Sequence, residues 1–157
     1  MINIRPATKK DISIIRELIH DLAVYERLEH EMIATEDDLR KTIFEQNCAE
    51  VFIAEWDGKA AGFSLFFQNY STFLGKPGIY LEDLFVKPDF RGLGIGSALL
   101  INLARIAKQR GCGRFEWSVL DWNTPAIDFY KSLGAEMMDG WTTCRLSTQG
   151  IDYLSKM

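Results

Sequence analysis

A glycine-rich segment between two apolar runs constrains the fold more than any other part of this sequence. Residues 91–97 read Arg-Gly-Leu-Gly-Ile-Gly-Ser, after the apolar run 79–86 and before a helical pattern over about 95–110. In a strand, glycine turn and helix of this order, the first N–H groups of the helix lack partners and its dipole favours negative charge. Glycine also lets the backbone approach a phosphate closely and adopt a positive φ. The segment therefore predicts a site for a phosphate-bearing ligand.

Composition narrows the class of protein. The chain has 157 residues, 47% hydrophobic and 25% charged, which is ordinary for one globular domain, here 1–157. No apolar run approaches the roughly 20 residues of a membrane span, and the N-terminus lacks the layout of a signal peptide. We therefore expect a cytoplasmic protein with no membrane partner. A net charge of −4 argues against nucleic acid as the main partner. Two histidines and three scattered cysteines suggest neither a disulfide framework nor a metal site.

Hydrophobic periodicity and turn residues predict a mixed α/β (α+β) domain. Thr8 and Thr35 each precede an acid by three residues, so both are expected to cap helices. Thr124 with Pro125 is expected to open a third short helix that Gly134 closes. We expect a mixed, largely antiparallel sheet with helices on both faces, and two-layer arrangements without helices on both faces stay open. The predicted strands are 2–5, 51–56, 60–67, 79–86, 115–120, 135–138 and 141–146, with a loop at 71–78. The long predicted helices run from the Thr8 cap to about residue 25, over 35–44 and over 95–110.

Two familiar glycine loops fit this segment poorly. A dinucleotide-binding loop requires G-x-G-x-x-G after a first strand, but Ser97 stands where the third glycine belongs and the segment is central in the chain. A P-loop requires a lysine before Ser or Thr after its last glycine, and this segment has none. What remains is the pattern Arg-x-x-Gly-x-Gly, formed by Arg91, Gly94 and Gly96.

That pattern resembles the pyrophosphate-binding motif of the GNAT superfamily of N-acetyltransferases, which use acetyl-CoA. The resemblance extends over almost the whole chain to the diamine branch, that is, the spermidine/spermine and thialysine N-acetyltransferases. It implies a GNAT-like sheet of six to seven strands, a small cationic amine as substrate and a homodimer. The blocks that carry it are Arg5-Pro6-Ala7-Thr8, Leu22-Ala23-Val24-Tyr25-Glu26, Tyr80-Leu81-Glu82-Asp83-Leu84-Phe85-Val86, Val119-Leu120-Asp121-Trp122-Asn123 and Phe129-Tyr130-Lys131.

The resemblance implies that acetyl-CoA is held mostly by backbone groups. A strand edge is expected to face the pantetheine arm if the neighbouring strand splays away, and the glycine segment is expected to hold the pyrophosphate, with Arg91 as countercharge. Asn123 matches a residue near the thioester, although a turn asparagine capping the next helix explains it nearly as well. Lys131 is either a contact to a CoA phosphate or an ordinary exposed lysine. The expected backbone contacts are Leu84, Phe85, Val86, Gly92, Leu93, Gly94, Ile95, Gly96 and Ser97.

Acetyl transfer to an amine requires a proton acceptor and benefits from a proton donor. An ammonium has no lone pair, and a lysine-like amine of pKa about 10.4 is neutral in only about one molecule in a thousand at pH 7.4. The resemblance assigns Glu82 to amine binding and deprotonation, through water. Its neighbour Asp83 is expected on the opposite face of the strand, as a structural carboxylate at an edge or in an ion pair. Tyr130 is the candidate acid for the departing thiolate, or alternatively packs its helix on the sheet.

Further substrate-side residues are carried over from the diamine enzymes. Their final segment is longer than the one here, and Asp121-Trp122-Asn123 resembles the thialysine type, so polyamines, thialysine and lysine-like amines all stay open. Two other functions stay open as well: an acetyltransferase for protein N-termini or lysines, and an acyl-CoA-binding regulatory module without catalysis. The expected substrate contacts are Tyr25, Glu26, Glu82, Glu116, Trp117, Ser118 and Asp139.

Overall fold

The chain forms a five-stranded sheet with five α-helices. The computed structural model describes residues 1–157, which divide into two compact units, 1–120 and 121–157. The strands follow one another across the sheet in chain order, the first four antiparallel and the fifth parallel to the fourth. All five strands lie in the first unit, and their bounds are β1 (Ile2–Pro6), β2 (Glu50–Trp56), β3 (Lys59–Ser71), β4 (Lys76–Val86) and β5 (Arg114–Trp117).

Three helices belong to the first unit and two to the second. A π-helical turn, Arg40–Glu45, continues the second helix. None of the helices has the length and apolar character needed to cross a membrane. In chain order they are α1 (Ile12–Tyr25), α2 (Glu36–Leu39), α3 (Ile95–Gln109), α4 (Thr124–Ser132) and α5 (Thr148–Ser155).

The two long helices of the first unit cover opposite faces of the sheet, as the pattern predicted. Successive residues of a strand face opposite sides, and Ile53 packs in the core with α1 whereas Ala54 packs in the core with α3. In β4, Phe85 belongs to the α1 core, and Leu84 and Val86 pack against the α3 core. The sheet is therefore buried on both faces, and β4 lies inside it.

A buried ion pair holds the start of α1 against β1. The Arg5 guanidinium donates from Nη1 and Nη2 to the two Asp11 carboxylate oxygens at 2.8 and 2.9 Å. The Asp11 carboxylate also accepts from the Thr8 N–H at 2.8 Å, which completes the predicted capping box. The hydrogen bond from Arg5 is the main reason that the pKa of Asp11 falls from 3.8 to about 2.

Replacing Asp11 with asparagine is expected to lower the free energy of unfolding by about 3 kcal/mol at pH 7, because Arg5 then loses its buried partner. Since the pKa of Asp11 is lowered on folding, its contribution is present above pH 4 and lost as the pH falls toward 2. Urea unfolding at pH 7 and during acid titration checks both statements. Asp38→Asn is the matched control, because it removes the equivalent capping carboxylate at an exposed site. Equal losses for the two variants would contradict the argument.

The second unit differs from the sequence-based expectation. The predicted sheet of six to seven strands is wrong, because residues 135–138 and 141–146 form no strands and the sheet has five. These residues are largely exposed, and a lone two-stranded hairpin is marginal in water without a packed face. The helix α5 was not predicted; Ser147 caps it by accepting from the Gly150 N–H at 3.2 Å.

Two smaller expectations hold only in part. The predicted loop 71–78 is shorter in the structure, because β3 and β4 pair through Ser71 and Lys76 and only the turn 72–75 joins them. Pro77 and Gly78 look like strand breakers in the sequence, yet the ladder with β5 begins only at Gly78 and so requires no N–H from the proline. In α4, Asn123 takes the N-cap position predicted for Thr124.

Candidate active site

The glycine segment forms an open turn at the start of α3. Gly92 and Gly94 have φ values of 77° and 82°, in the region that side chains rarely adopt. The first intrahelical bond is donated by the Ala98 N–H to the Gly94 carbonyl at 3.0 Å. The N–H groups of Ile95, Gly96 and Ser97 thus have no acceptor within the helix. A Cβ built on Gly92 or Gly94 meets nothing within 4 Å, so the turn faces open space. This geometry fits the predicted phosphate cradle.

One edge of β4 is open next to this turn. The ladder between β4 and β5 ends where Leu81 pairs with Trp117, although β4 continues to Val86. The fifth strand thus ends three residues before its predicted end at residue 120, and backbone groups of β4 after Leu81 lack a strand partner on this side. One of them is already used, since the Val86 carbonyl accepts from the Arg91 Nε at 3.0 Å.

Arg91 lies against two aromatic rings. Its guanidinium carbon is 5.0 Å from the centroid of the Tyr25 ring and 5.6 Å from that of Phe85. The two rings are themselves 6.5 Å apart, at 51°. The guanidinium group of Arg91 therefore also contacts the last residue of α1. Its role as a countercharge to pyrophosphate stays a prediction.

A β-bulge lies at the pair of acids in β4. Leu65 pairs with Asp83 and Phe66 with Leu81, so Glu82 is the extra residue. Bulges bend a strand and redirect its side chains. The expectation of a regular strand, with Glu82 and Asp83 on opposite faces, therefore does not hold here.

Three carboxyl groups act on one another around this bulge. Burial is the main cause that raises the pKa of Asp83 to about 7, and the charges of Glu82 and Glu26 add to it. Burial also raises the pKa of Glu26, with a further contribution from Glu82. No cation lowers either pKa. The site thus concentrates negative charge between the end of α1 and β4, which suits a cationic ligand.

Asp83 is not in the ion pair that was one of its two expected structural roles. It lies beyond the end of the ladder with β5, at the open edge of β4, it is half-buried, and the causes that set its pKa include no ion pair. The signal in the sequence was a pair of adjacent acids inside an apolar strand, where burial of charge is costly. The sequence pattern does not encode the bulge that redirects them.

The predicted substrate residues in β5 and directly after it already have partners in the first unit. The Glu116 carboxylate pairs with the Arg114 Nε at 2.8 Å, and both side chains are exposed. The Ser118 hydroxyl lies 2.8 Å from the Tyr80 hydroxyl. The Trp117 ring lies 5.0 Å from that of Phe115. Their roles toward an amine stay predictions.

The remaining predicted residues belong to the second unit. Tyr130 is buried on α4, 8% exposed, with its ring 5.6 Å from that of Phe129. Asn123 is 7% exposed, and its side chain makes no capping hydrogen bond to α4. The alternative role of Asn123 as a helix cap is therefore not supported. Lys131 is exposed near the end of α4, and Asp139 is exposed in a turn.

Comparison with known proteins agrees with this fold and site. The model of the acetyltransferase (GNAT) family matches residues 13–135, which is most of the chain. The fold and the site thus define an acyltransferase, an enzyme that acetylates amines. The chain belongs to the acetyltransferase (GNAT) family, and its relatives place it in the diamine and thialysine branch.

Two relatives are similar to this chain over most of their own lengths. Thialysine N-epsilon-acetyltransferase of Sus scrofa is 37% identical, over 97% of this chain and 96% of the relative. L-ornithine N5-acetyltransferase of Arabidopsis thaliana is 34% identical, over 98% of this chain and 88% of the relative. Among solved structures, an integron cassette protein from the mobile metagenome of V. cholerae has a TM-score of 0.83 at 28% identity, over 99% and 98% of the two chains.

Proposed function

We propose that this enzyme transfers the acetyl group of acetyl-CoA directly to the primary amine of a small cationic substrate, either a lysine-like amino acid or a diamine. The observation that carries the proposal is the group of three carboxyls around the bulge, in which burial and the charge of Glu82 raise the pKa values of Glu26 and Asp83 and no cation lowers them. An ammonium bound there supplies the missing positive charge. It also lowers the pKa values of these carboxyls, since an opposite charge favours the ionised form.

The residues of the first unit fit acetyl-CoA. The N–H groups at the start of α3 are suited to a pyrophosphate, and the open edge of β4 offers hydrogen bonds to an extended amide chain. When bound, acetyl-CoA supplies the activated acyl group. The backbone of β4 and the turn at Gly92 and Gly94 position it, and they do so with little dependence on side chains.

The carboxyls hold and deprotonate the amine. Glu82, which is exposed, accepts the ammonium proton through a water molecule, and the freed lone pair forms the new C–N bond as the C–S bond breaks. Tyr130 gives its phenolic proton to the departing thiolate. Each proton transfer of this kind contributes roughly 10²–10⁴-fold to the rate.

The substrate class is supported by the relatives. The names of the thialysine and ornithine enzymes both place the acetyl group on a side-chain amine of an amino acid. Such a substrate carries a cationic amine, which suits the carboxyl cluster. The homodimer and the single domain over 1–157 stay predictions, and sedimentation velocity and limited proteolysis check them.

The proposal is tested by following thiol release from acetyl-CoA with a panel of amines: thialysine, ornithine, lysine, putrescine, spermidine, spermine and a lysine-containing peptide. We expect turnover with at least one small amine and little with the peptide. Glu82→Gln is expected to lower kcat/KM at least tenfold at pH 7.5, because the glutamine accepts no proton. Glu36→Gln, which changes an exposed acid on α2, is the matched control.

Two outcomes would overturn the proposal. Turnover with the peptide alone would assign the enzyme to protein substrates. Release that proceeds equally in Glu82→Gln and the parent enzyme, at every pH from 6 to 9, would remove Glu82 from proton transfer.

A further inference from the structure

We propose that Arg91 is a positioning residue that connects the glycine turn to the end of α1 and thereby sets the affinity for the amine. The inference rests on the proposed function, because it assigns Tyr25 and Glu26 to the amine side. It concerns how the amine end of the site is held, in addition to the expected contact of Arg91 with pyrophosphate.

The contacts of Arg91 make this connection. Its Nε donates to the Val86 carbonyl at 3.0 Å, which fixes the side chain to the last residue of β4. The guanidinium carbon lies 5.0 Å from the centroid of the Tyr25 ring and 5.6 Å from that of Phe85. A planar cation over two ring faces is held by cation–π attraction and stacking. Arg91 thus contacts α1 from the first position of the glycine segment.

Tyr25 stands where the chain leaves α1. It is the last residue of the helix, and two hydrogen bonds close the helix end behind it, from Arg27 N–H to the Val24 carbonyl at 3.1 Å and from Leu28 N–H to the Ala23 carbonyl at 2.8 Å. Arg27, the residue after the C-cap, takes the left-handed conformation, with φ of 62°. The end of α1 is therefore a defined turn and not a frayed end.

The acid of the carboxyl cluster on α1 follows Tyr25 directly. Glu26 is the C-cap residue of α1, and its charge acts on Asp83. A shift of the Tyr25 ring therefore moves the Glu26 carboxyl relative to β4. Arg91 contacts the Tyr25 ring and is also the first residue of the glycine segment. An anion bound in the glycine turn therefore restrains Tyr25 and Glu26 through the Arg91 side chain.

Substitution of Arg91 by lysine has different expected effects if Arg91 acts only as a countercharge and if it positions Tyr25. Lysine keeps the positive charge, but it lacks the planar group that lies over two rings and the Nε bond to Val86. Arg91→Lys is expected to raise the KM of the amine about fivefold, a larger change than in the Kd of CoA, because lysine keeps the positive charge but not the planar group. Tyr25→Leu is expected to raise the KM of the amine similarly, and Tyr25→Phe, which keeps the ring, to raise it less than Tyr25→Leu does.

The double variant Arg91→Lys/Tyr25→Leu separates a shared role from two independent ones. Its KM for the amine is expected to equal that of either single variant within twofold, because residues in contact are not additive. Arg110→Lys is the matched control, since Arg110 also lies over a ring, that of Phe66 at 5.8 Å, outside the site. It is expected to leave all constants unchanged.

Hydrogen exchange gives a measure that needs no turnover. Binding of CoA is expected to slow exchange in a peptide spanning residues 23–29 in the parent protein and not in Arg91→Lys. If no amine is acetylated but this difference is present, the proposed function fails and the connection stands. An Arg91→Lys variant with normal KM for the amine and normal exchange overturns the inference, as does a double variant whose effects multiply.

Discussion

Tyr130→Phe is expected to lower kcat for the amine at least 100-fold while the Kd of CoA stays within twofold. The substitution removes one O–H group from a buried side chain and keeps the ring that lies 5.6 Å from Phe129. A phenol, with an ordinary pKa near 10, keeps its proton at neutral pH and is available to donate it to the thiolate that forms as the C–S bond breaks. Loss of a positioned acid typically costs 10²–10⁴-fold in rate. Pre-steady-state thiol release with saturating acetyl-CoA measures this step.

The control for Tyr130 is Tyr153→Phe, the same chemical change on α5, where Tyr153 is 71% exposed. It is expected to leave kcat unchanged. Melting temperatures of both variants within 3 °C of the parent protein would show that the fold is kept. A Tyr130→Phe enzyme that retains a third or more of kcat would contradict the assignment of the acid, and the alternative in which Tyr130 only packs α4 would then account for its burial.

Local rules were sufficient for most of the first unit. The capping boxes at Thr8 and Thr35 and the glycine turn before α3 depend on residues within a few positions of each other. Such signals can be recognised in a sequence because neighbouring residues determine them. The expectation of helices on both faces came from the order of the predicted strands and helices along the chain.

The second unit was less predictable, because strands depend on a partner that the local sequence does not specify. Residues 135–138 and 141–146 have the composition of a hairpin, yet they pair with nothing and are largely exposed. The helix α5 begins after the cap residue Ser147, which a prediction based on alternating apolar residues does not use. Likewise no local sequence pattern predicts that the π-helical turn Arg40–Glu45 extends α2.

In the candidate site, the residue types were predictable and their arrangement was not. The glycine turn agrees with expectation, because glycine spacing is visible in the sequence. The open edge of β4 results from the early end of β5 at Trp117, which the pattern of residues 115–120 did not predict. The bulge at Glu82 and the position of Arg91 over two rings depend on register and on packing between distant elements. These two features change the interpretation of Asp83 and Arg91, and both arise from long-range contacts.

Asp83→Asn is expected to stabilise the protein at pH 8 by up to about 4 kcal/mol. The pKa of Asp83 rises from 3.8 in the unfolded chain to about 7 in the fold, mainly because the carboxyl is buried and also because Glu82 and Glu26 repel its charge. Each unit of this difference is worth about 1.4 kcal/mol. Because the folded pKa is the higher one, stability is greatest below pH 4, falls as the pH rises from 4 to 7, and is constant above that. Asparagine takes up no charge, so its advantage over aspartate grows across the same interval.

Urea unfolding of the parent protein and Asp83→Asn at pH 4.5 and pH 8 measures this difference. We expect a gain from the substitution of about 1 kcal/mol at pH 4.5 and several times more at pH 8. Asp128→Asn, at an exposed position of α4, is expected to change stability by less than about 0.5 kcal/mol at either pH. Gains in stability that are equal at the two pH values would mean that the fold does not raise the pKa of Asp83. The stabilised variant is also expected to bind the amine at least fivefold more weakly at pH 8. An ionised Asp83 destabilises the free enzyme but attracts the ammonium group of the substrate, and asparagine does neither.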